Sequence, residues 1–231
     1  MPGLLRLVDY SNPNSLGSRL RRRRSYRLKS LIDAIHAQRG EVRILDLGGR
    51  RIYWEMFDGN WLAARGVHVT LVNSEAEIAR MRQDGRYLPL AGDACDLPQF
   101  ADNSFDLTHS NSIIEHVGAW ERMEAFARES RRLAPFCYLQ TPYFWFPVEP
   151  HFLAPFYHWL PESWRAKILL RVRLGHYRRA ANMGEAMRTI RQAILLDRAQ
   201  LACLMPGARI EFEWLGPFPK SLIAIRMAPG I

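Results

Sequence analysis

The sequence predicts an α/β protein, a doubly wound sheet of seven strands that is mostly parallel with its last strand reversed. Three observations predict it. Short apolar runs alternate with helical periodicity from residue 43 to residue 140. The runs end in small and polar residues: Asp46-Leu47-Gly48-Gly49, Asn73-Ser74-Glu75, Gly92-Asp93-Ala94, and His109-Ser110-Asn111-Ser112. Two further runs, 209–215 and 221–227, flank Gly216-Pro217-Phe218-Pro219, a turn that allows an antiparallel hairpin.

Residues 15–38 read as a first helix. Leu20, Leu28, Leu31, Ile32 and Ile35 supply its apolar face, and Gly40 stops it. Residues 43–47 form a strand, 53–64 a helix, 67–72 a strand and 75–82 a short helix. Strands follow at 87–90 and 105–109, then an amphipathic helix at 120–133 ended by Ala134-Pro135, then a strand at 136–140. Strands alternating with helices imply parallel pairing through right-handed crossovers. After Thr141 the texture changes to TPYFWFPVEPHFLAPFYHWLPESW, dense in proline and aromatics, followed by a basic, partly helical stretch to about residue 191. A helix at 197–205 precedes the closing strands. The expected organisation is a basic helical segment over 1–40, a cofactor-binding core over 41–141, a lid or substrate insertion over 142–196, and a return to the core over 197–231.

At 231 residues the chain fits one large domain, or one domain with an insertion. Its hydrophobic share of 48% and charged share of 24% are ordinary for a globular protein, whereas its net charge of +9 is not. Arginines cluster at 19–27 and again at 165–179, which suits an anionic membrane surface, an anionic lipid-linked substrate, nucleic acid, or plain solvation. Cys95, Cys137 and Cys203 lie far apart without a CxxC pair, against a disulfide framework and against a zinc site, so no metal is expected. The amino-terminal MPGLLRLVDYSNPNS lacks the apolar core of a signal peptide, and no run reaches the roughly 18 apolar residues of a membrane span. A cytoplasmic protein is expected, with peripheral attachment to a membrane surface as a further expectation.

In an open α/β sheet, ligands sit beyond the carboxyl ends of the strands, where strand order reverses. Four polar strand ends in register mark that edge here. ILDLGG, GDACDLP and FDLTHSNSIIEHV, at their spacing, resemble the class I S-adenosylmethionine-dependent methyltransferases, and most of all the small-molecule branch called methyltransferase type 11. The resemblance covers residues 42–140 well and the rest loosely. It implies a Rossmann-like fold and S-adenosylmethionine as cofactor. It places Asp46, Gly48 and Gly49 under the methionine part, and Asn73 where an acidic residue usually holds the ribose hydroxyls. Asp93 and Ala94 would lie at the adenine, and Ser110 and Asn111 near the sulfonium. Arg50 and Arg51 replace the later glycines of the usual motif. With Asn73 on the ribose, Asn73→Asp is expected to keep or improve cofactor affinity, because a carboxylate accepts from both hydroxyls.

His116 is the candidate general base, since histidine titrates near neutrality, with Glu115 beside it to orient it, cap the helix or touch the cofactor. Tyr143, Trp145, Glu149 and His151 are the candidate acceptor contacts. A small-molecule acceptor such as a saccharide, a lipid-linked saccharide or a quinone-like compound is expected. A nucleic-acid methyltransferase and a degenerate, cofactor-free binding protein stand as the alternatives. The NAD-dependent reading fails on two counts, because neither G-x-G-x-x-G nor an acidic residue at the second strand end is present.

Overall fold

In a computed structural model, residues 16–228 are described, with side chains from residue 25 onward. The first helix, α1, spans Leu16–Arg39. The central sheet contains β1 (Val42–Leu47), β2 (Val67–Asn73), β3 (Tyr87–Ala91), β4 (Leu107–Asn111), β5 (Phe136–Pro142), β8 (Arg209–Leu215) and β9 (Phe218–Arg226), in the spatial order β3-β2-β1-β4-β5-β9-β8. β1 to β5 pair in parallel, and β9 runs antiparallel to both β5 and β8. The reversed strand therefore lies second from the edge. Strand order switches direction between β1 and β4, which opens the crevice where this architecture takes ligands.

Alternation along β1 divides the core. Val42 and Ile44 point to one face of the sheet, where Leu28, Ile32 and Ile35 of α1 pack with Tyr53, Trp54 and Phe57. Leu45 and Leu47 point to the other. There α5 (Trp120–Leu133) lays down Met123, Phe126, Ala127 and Leu133, the i, i+3, i+4 stripe its sequence announces. Each fully buried side chain of this kind contributes about 1.5–3 kcal/mol.

Three local readings differ from the structure. The helix expected at 53–64 is two short ones, α2 (Arg51–Trp54) and α3 (Gly59–Ala63), because the Asp58 carboxylate accepts from the Trp61 N–H and starts a second helix. The helix expected at 75–82 stops early, as α4 (Glu75–Ile78), and Asp84 then caps the backbone of Arg86 and Tyr87 to turn the chain into β3. The closing hairpin needs only Gly216 and Pro217, since Leu215 already pairs with Phe218.

The insertion after β5 contains a two-stranded ribbon, β6 (Val148–Glu149) with β7 (Ala154–Pro155), then a 3-10 turn at Tyr157–Trp159, α6 (Glu162–Leu169) and α7 (Met183–Ile190). It builds a small core of its own from Phe152, Tyr157, Ala166, Leu169, Ala186 and Ile190. The chain re-enters the main core through α8 (Arg198–Leu204), which opens with a capping box between Asp197 and Gln200. The arginine side chains at 19–24 lie outside the described residues, and Arg27 is spent on an ion pair with Glu211 of β8. Among the described residues, no helix is long and apolar enough to cross a membrane.

Candidate active site

The carboxyl end of β1 is held by a buried polar row. Asp46 faces His109 of β4 in register, and His109 faces Tyr138 of β5. The Asp46 carboxylate is 1% exposed; one oxygen lies 2.7 Å from His109 Nδ1 and the other accepts from Trp54 Nε1 at 2.7 Å. The His109 ring stacks on Tyr138 at 5.8 Å and meets Tyr53 at 4.6 Å. Asp46 is thus a support beneath the glycine turn, and Trp54 and His109 are its partners. Sequence reasoning placed His109 only as a strand end and did not find this pairing, which joins residues 63 positions apart.

The two glycines are required by close packing. Gly48 has φ +74°, and a Cβ there would lie 2.2 Å from Ile113 Cγ1. At Gly49 a Cβ would lie 2.4 Å from the Asp46 carboxylate. Asn73 closes the same turn. Its amide nitrogen donates to the carbonyls of Gly48 (3.1 Å) and Gly49 (3.0 Å), while its oxygen accepts from the Ser74 N–H. Ser110 is buried and donates to the Leu47 carbonyl. Asn111 ends β4 with its side-chain oxygen buried and unpartnered.

Asp93 sits at the lip after β3, half exposed, and accepts from Arg122 Nη2 and from the Cys95 N–H. Burial alone would raise its pKa, but these partners hold it below the usual carboxylate range. Ala94 lies half-buried in the turn between Asp93 and Asp96 and packs on the core. The neighbouring Cys95 thiol is pushed by burial up to about 11.

Beyond the ends of β4 and β5 a second polar group gathers. Glu115 and His116 lie in a 3-10 turn, Ile114–His116, that follows β4. Glu115 is 1% exposed; Thr141 at the end of β5 donates to its Oε2 at 2.9 Å, and its Oε1 is buried without a partner. Burial raises the Glu115 pKa, against the pull of His116 and His151. His116 Nδ1 lies 2.8 Å from the Gln192 carbonyl. His151, carried in by the loop between β6 and β7, places Nδ1 2.7 Å from Glu149 Oε1 and Nε2 3.2 Å from His116 Nε2. Glu149 is buried, and its second oxygen accepts from the Phe152 N–H. Burial alone would lower the His151 pKa, and Glu149 with Glu115 reverses that, so it is raised.

Of the four candidate acceptor contacts, His151 joins His116 directly and Glu149 stands behind it. Tyr143 packs edge-on against Phe212 as part of the core wall. Trp145 is 55% exposed, near Trp159 at 6.0 Å, and Trp159 meets Phe156 at 5.0 Å.

A methyltransferase-domain family model matches residues 58–135. Over that third of the chain it is similar to a methyltransferase domain. No curated protein matches it. Among solved structures it is similar to the PH0226 protein of Pyrococcus horikoshii, at 16% identity over 88% of this chain and 90% of that one, with a TM-score of 0.51. A SAM-dependent methyltransferase from Methanosarcina mazei is similar at 15% identity over 81% and 93%, with a TM-score of 0.50. A structure described as a methyltransferase from an antibiotic biosynthesis pathway of Anabaena variabilis shares 18% identity over 79% of this chain, with a TM-score of 0.46, and the chain spans only 62% of its length. At these identities the likeness to the Pyrococcus horikoshii and Methanosarcina mazei structures speaks for the fold alone.

S-adenosylmethionine is the cofactor of such a domain, and the residues fit it with altered roles. The unpartnered Asn111 oxygen at the switch point, and the Asp93 carboxylate at the lip, can accept from a ligand. Asp46, Asn73 and Ser110 have their polar atoms committed to the loop and shape it instead.

Proposed function

We propose that this methyltransferase transfers a methyl group from S-adenosylmethionine to a hydroxyl of a small, ring-bearing acceptor, such as a saccharide, a lipid-linked saccharide or a quinone-like compound. The observation that carries the reading is the His116–His151 pair, whose Nε2 atoms face one another at 3.2 Å beside the ends of β4 and β5. Asn111 and Asp93 would hold the cofactor over the crevice between β1 and β4. When bound, the cofactor supplies a methyl made electrophilic by its sulfonium, and displacement leaves the bonding electron pair on sulfur. The chain's residues supply alignment and proton handling. A carbonyl only accepts, so the Gln192 oxygen keeps the proton of His116 on Nδ1 and leaves Nε2 with its lone pair. That nitrogen can take the hydroxyl proton as the O–CH3 bond forms. His151, oriented by Glu149, shares the resulting charge. Trp145, Phe156 and Trp159 offer exposed ring faces on the insertion, suited to a sugar or a flat acceptor.

The test has two arms. Calorimetry should detect S-adenosylhomocysteine, weakened by Asp93→Ala and by Asn111→Ala. Methyl-labelled cofactor offered with saccharides, quinones and RNA should label a small molecule. His116→Ala should lower that rate by about 10²–10⁴-fold, the ordinary worth of a positioned base, while the cofactor still binds. Labelled RNA would replace the acceptor class, and no heat at millimolar ligand would leave the degenerate relative.

A further inference from the structure

We propose that Glu115, His116 and His151 form a site for a divalent first-row transition-metal ion, for which zinc is the probe. The three donor atoms lie within 4.8 Å of one another. Both histidine tautomers are fixed. His116 Nδ1 donates to the Gln192 carbonyl and His151 Nδ1 to the Glu149 carboxylate, so in each neutral ring Nε2 is the nitrogen that presents a lone pair. Two lone pairs at 3.2 Å repel unless a cation, a shared proton or a metal ion, lies between them, and a divalent ion would take the proton's place. The spacing suits one ion. With metal–nitrogen bonds of about 2.05 Å, a separation of 3.2 Å gives an N–metal–N angle of about 103°, between the octahedral and tetrahedral values.

The third ligand is Glu115 Oε1, an orphaned acceptor on a residue only 1% exposed. Its other oxygen is already anchored by Thr141. Donors on a tetrahedral ion lie about 3.4 Å apart, so the carboxylate, which lies within 4.8 Å of the imidazole donors, moves inward to enter the first shell. Glu149 supplies the outer support. A carboxylate that accepts from the far nitrogen of a ligating imidazole fixes the ring and raises its basicity. Imidazole and carboxylate donors suit zinc and its neighbours better than magnesium or calcium, which prefer oxygen alone. No thiol is needed, so the scattered cysteines do not bear on this site.

Three protein ligands leave a coordination position open, and His116 is exposed, so that position is reachable from solvent. Resting on the methyl-transfer reading, we infer that the acceptor hydroxyl takes it. The bound ion would lower the hydroxyl's pKa and let its proton leave to water, so that in the metal-loaded protein His116 acts as a ligand, and as the base only in the metal-free protein.

Calorimetry on the chelator-stripped full chain tests the site. Zinc should bind with one-to-one stoichiometry, and magnesium should not compete. His116→Ala and His151→Ala should each weaken binding by at least tenfold, and Glu149→Gln by about 10–100-fold. His68→Ala and Cys203→Ser, remote from the site, should leave it unchanged. In nitrogen-resolved NMR of the unaltered protein, the Nε2 resonances of two of its seven histidines should move on adding zinc, a readout independent of any variant's folding. Absence of stoichiometric binding, or binding retained in the His116→Ala/His151→Ala double variant, overturns the proposal. S-adenosylhomocysteine binding is measured on the same samples. Cofactor binding without zinc removes the metal site alone, whereas zinc binding without cofactor removes the methyl-transfer reading and leaves the ion site.

Discussion

Asn73 has both amide hydrogens spent on the carbonyls of Gly48 and Gly49, and this reverses the expectation for its acidic substitution. A carboxylate at that position loses both donated bonds and faces two carbonyl oxygens at close range. Losing donors to part-buried acceptors costs about 1–3 kcal/mol. Asn73→Asp should therefore lower the melting temperature by about 2–12 °C, at 2–4 °C per kcal/mol for a chain of this size. It should also weaken cofactor binding, because the glycine turn loosens. Scanning calorimetry with and without S-adenosylhomocysteine checks both, and an unchanged melting temperature with tighter binding would restore the ribose role. The identity of Asn73 was legible in the sequence, and so was its place at a strand end. Its partners were not, because an amide and a carboxylate differ only in what they donate, and the acceptors lie on another strand's turn. Glu115, His116 and His151 teach the same lesson. Each was a candidate by residue type, but the 3.2 Å approach of two imidazoles depends on the path of the insertion, which no local period encodes.

Elements were legible where a single face is buried. The stripe of α5 and the apolar run of β1 need only period and burial, and both stand where the sequence puts them. The region between β1 and β2 was less legible, because Asp58 can serve as a helix-interior residue or as a cap, and only the structure shows it capping. α5 is further fixed by a clamp the sequence does not announce. Glu129 accepts from Arg132 through both oxygens and also takes the Leu97 N–H, while Arg132 donates to the carbonyls of Leu97 and Phe100. The Arg132 bond is the main cause that lowers the Glu129 pKa, with burial opposing. A folded pKa below the unfolded one means the contribution is complete above the unfolded value, near ~4.3, and is lost as pH falls through the folded value. Glu129→Gln should thus lower the melting temperature at pH 7. The gap to the unaltered protein should close as pH falls below about 4.3. A gap that stayed constant from pH 7 to pH 3 would show that the clamp acts by shape alone.

At the scale of the whole molecule, the cofactor crevice and the exposed aromatic and basic surfaces belong to different parts of the chain. The sheet carries the crevice. The insertion carries Trp145, Phe156, Trp159 and Trp164, all exposed, together with Arg171, Arg173, Arg178 and Arg179, exposed as well. Exposed aromatic rings and arginines on one insertion suit the boundary of an anionic bilayer, where a basic residue near the surface contributes about 1 kcal/mol. We propose that this insertion brings the acceptor site to an anionic membrane surface or to an anionic lipid-linked acceptor. Flotation with vesicles tests it. The protein should float with vesicles containing anionic lipid and not with neutral ones, and salt raised through the screening range should release it. Arg171→Glu combined with Arg173→Glu should reduce flotation while S-adenosylhomocysteine still binds, since both residues belong to the insertion and not to the sheet that carries the crevice. If the protein stays equally in the unbound fraction with both lipids at low salt, the arginines are a solvated face, and the acceptor must reach the histidine pair from solution.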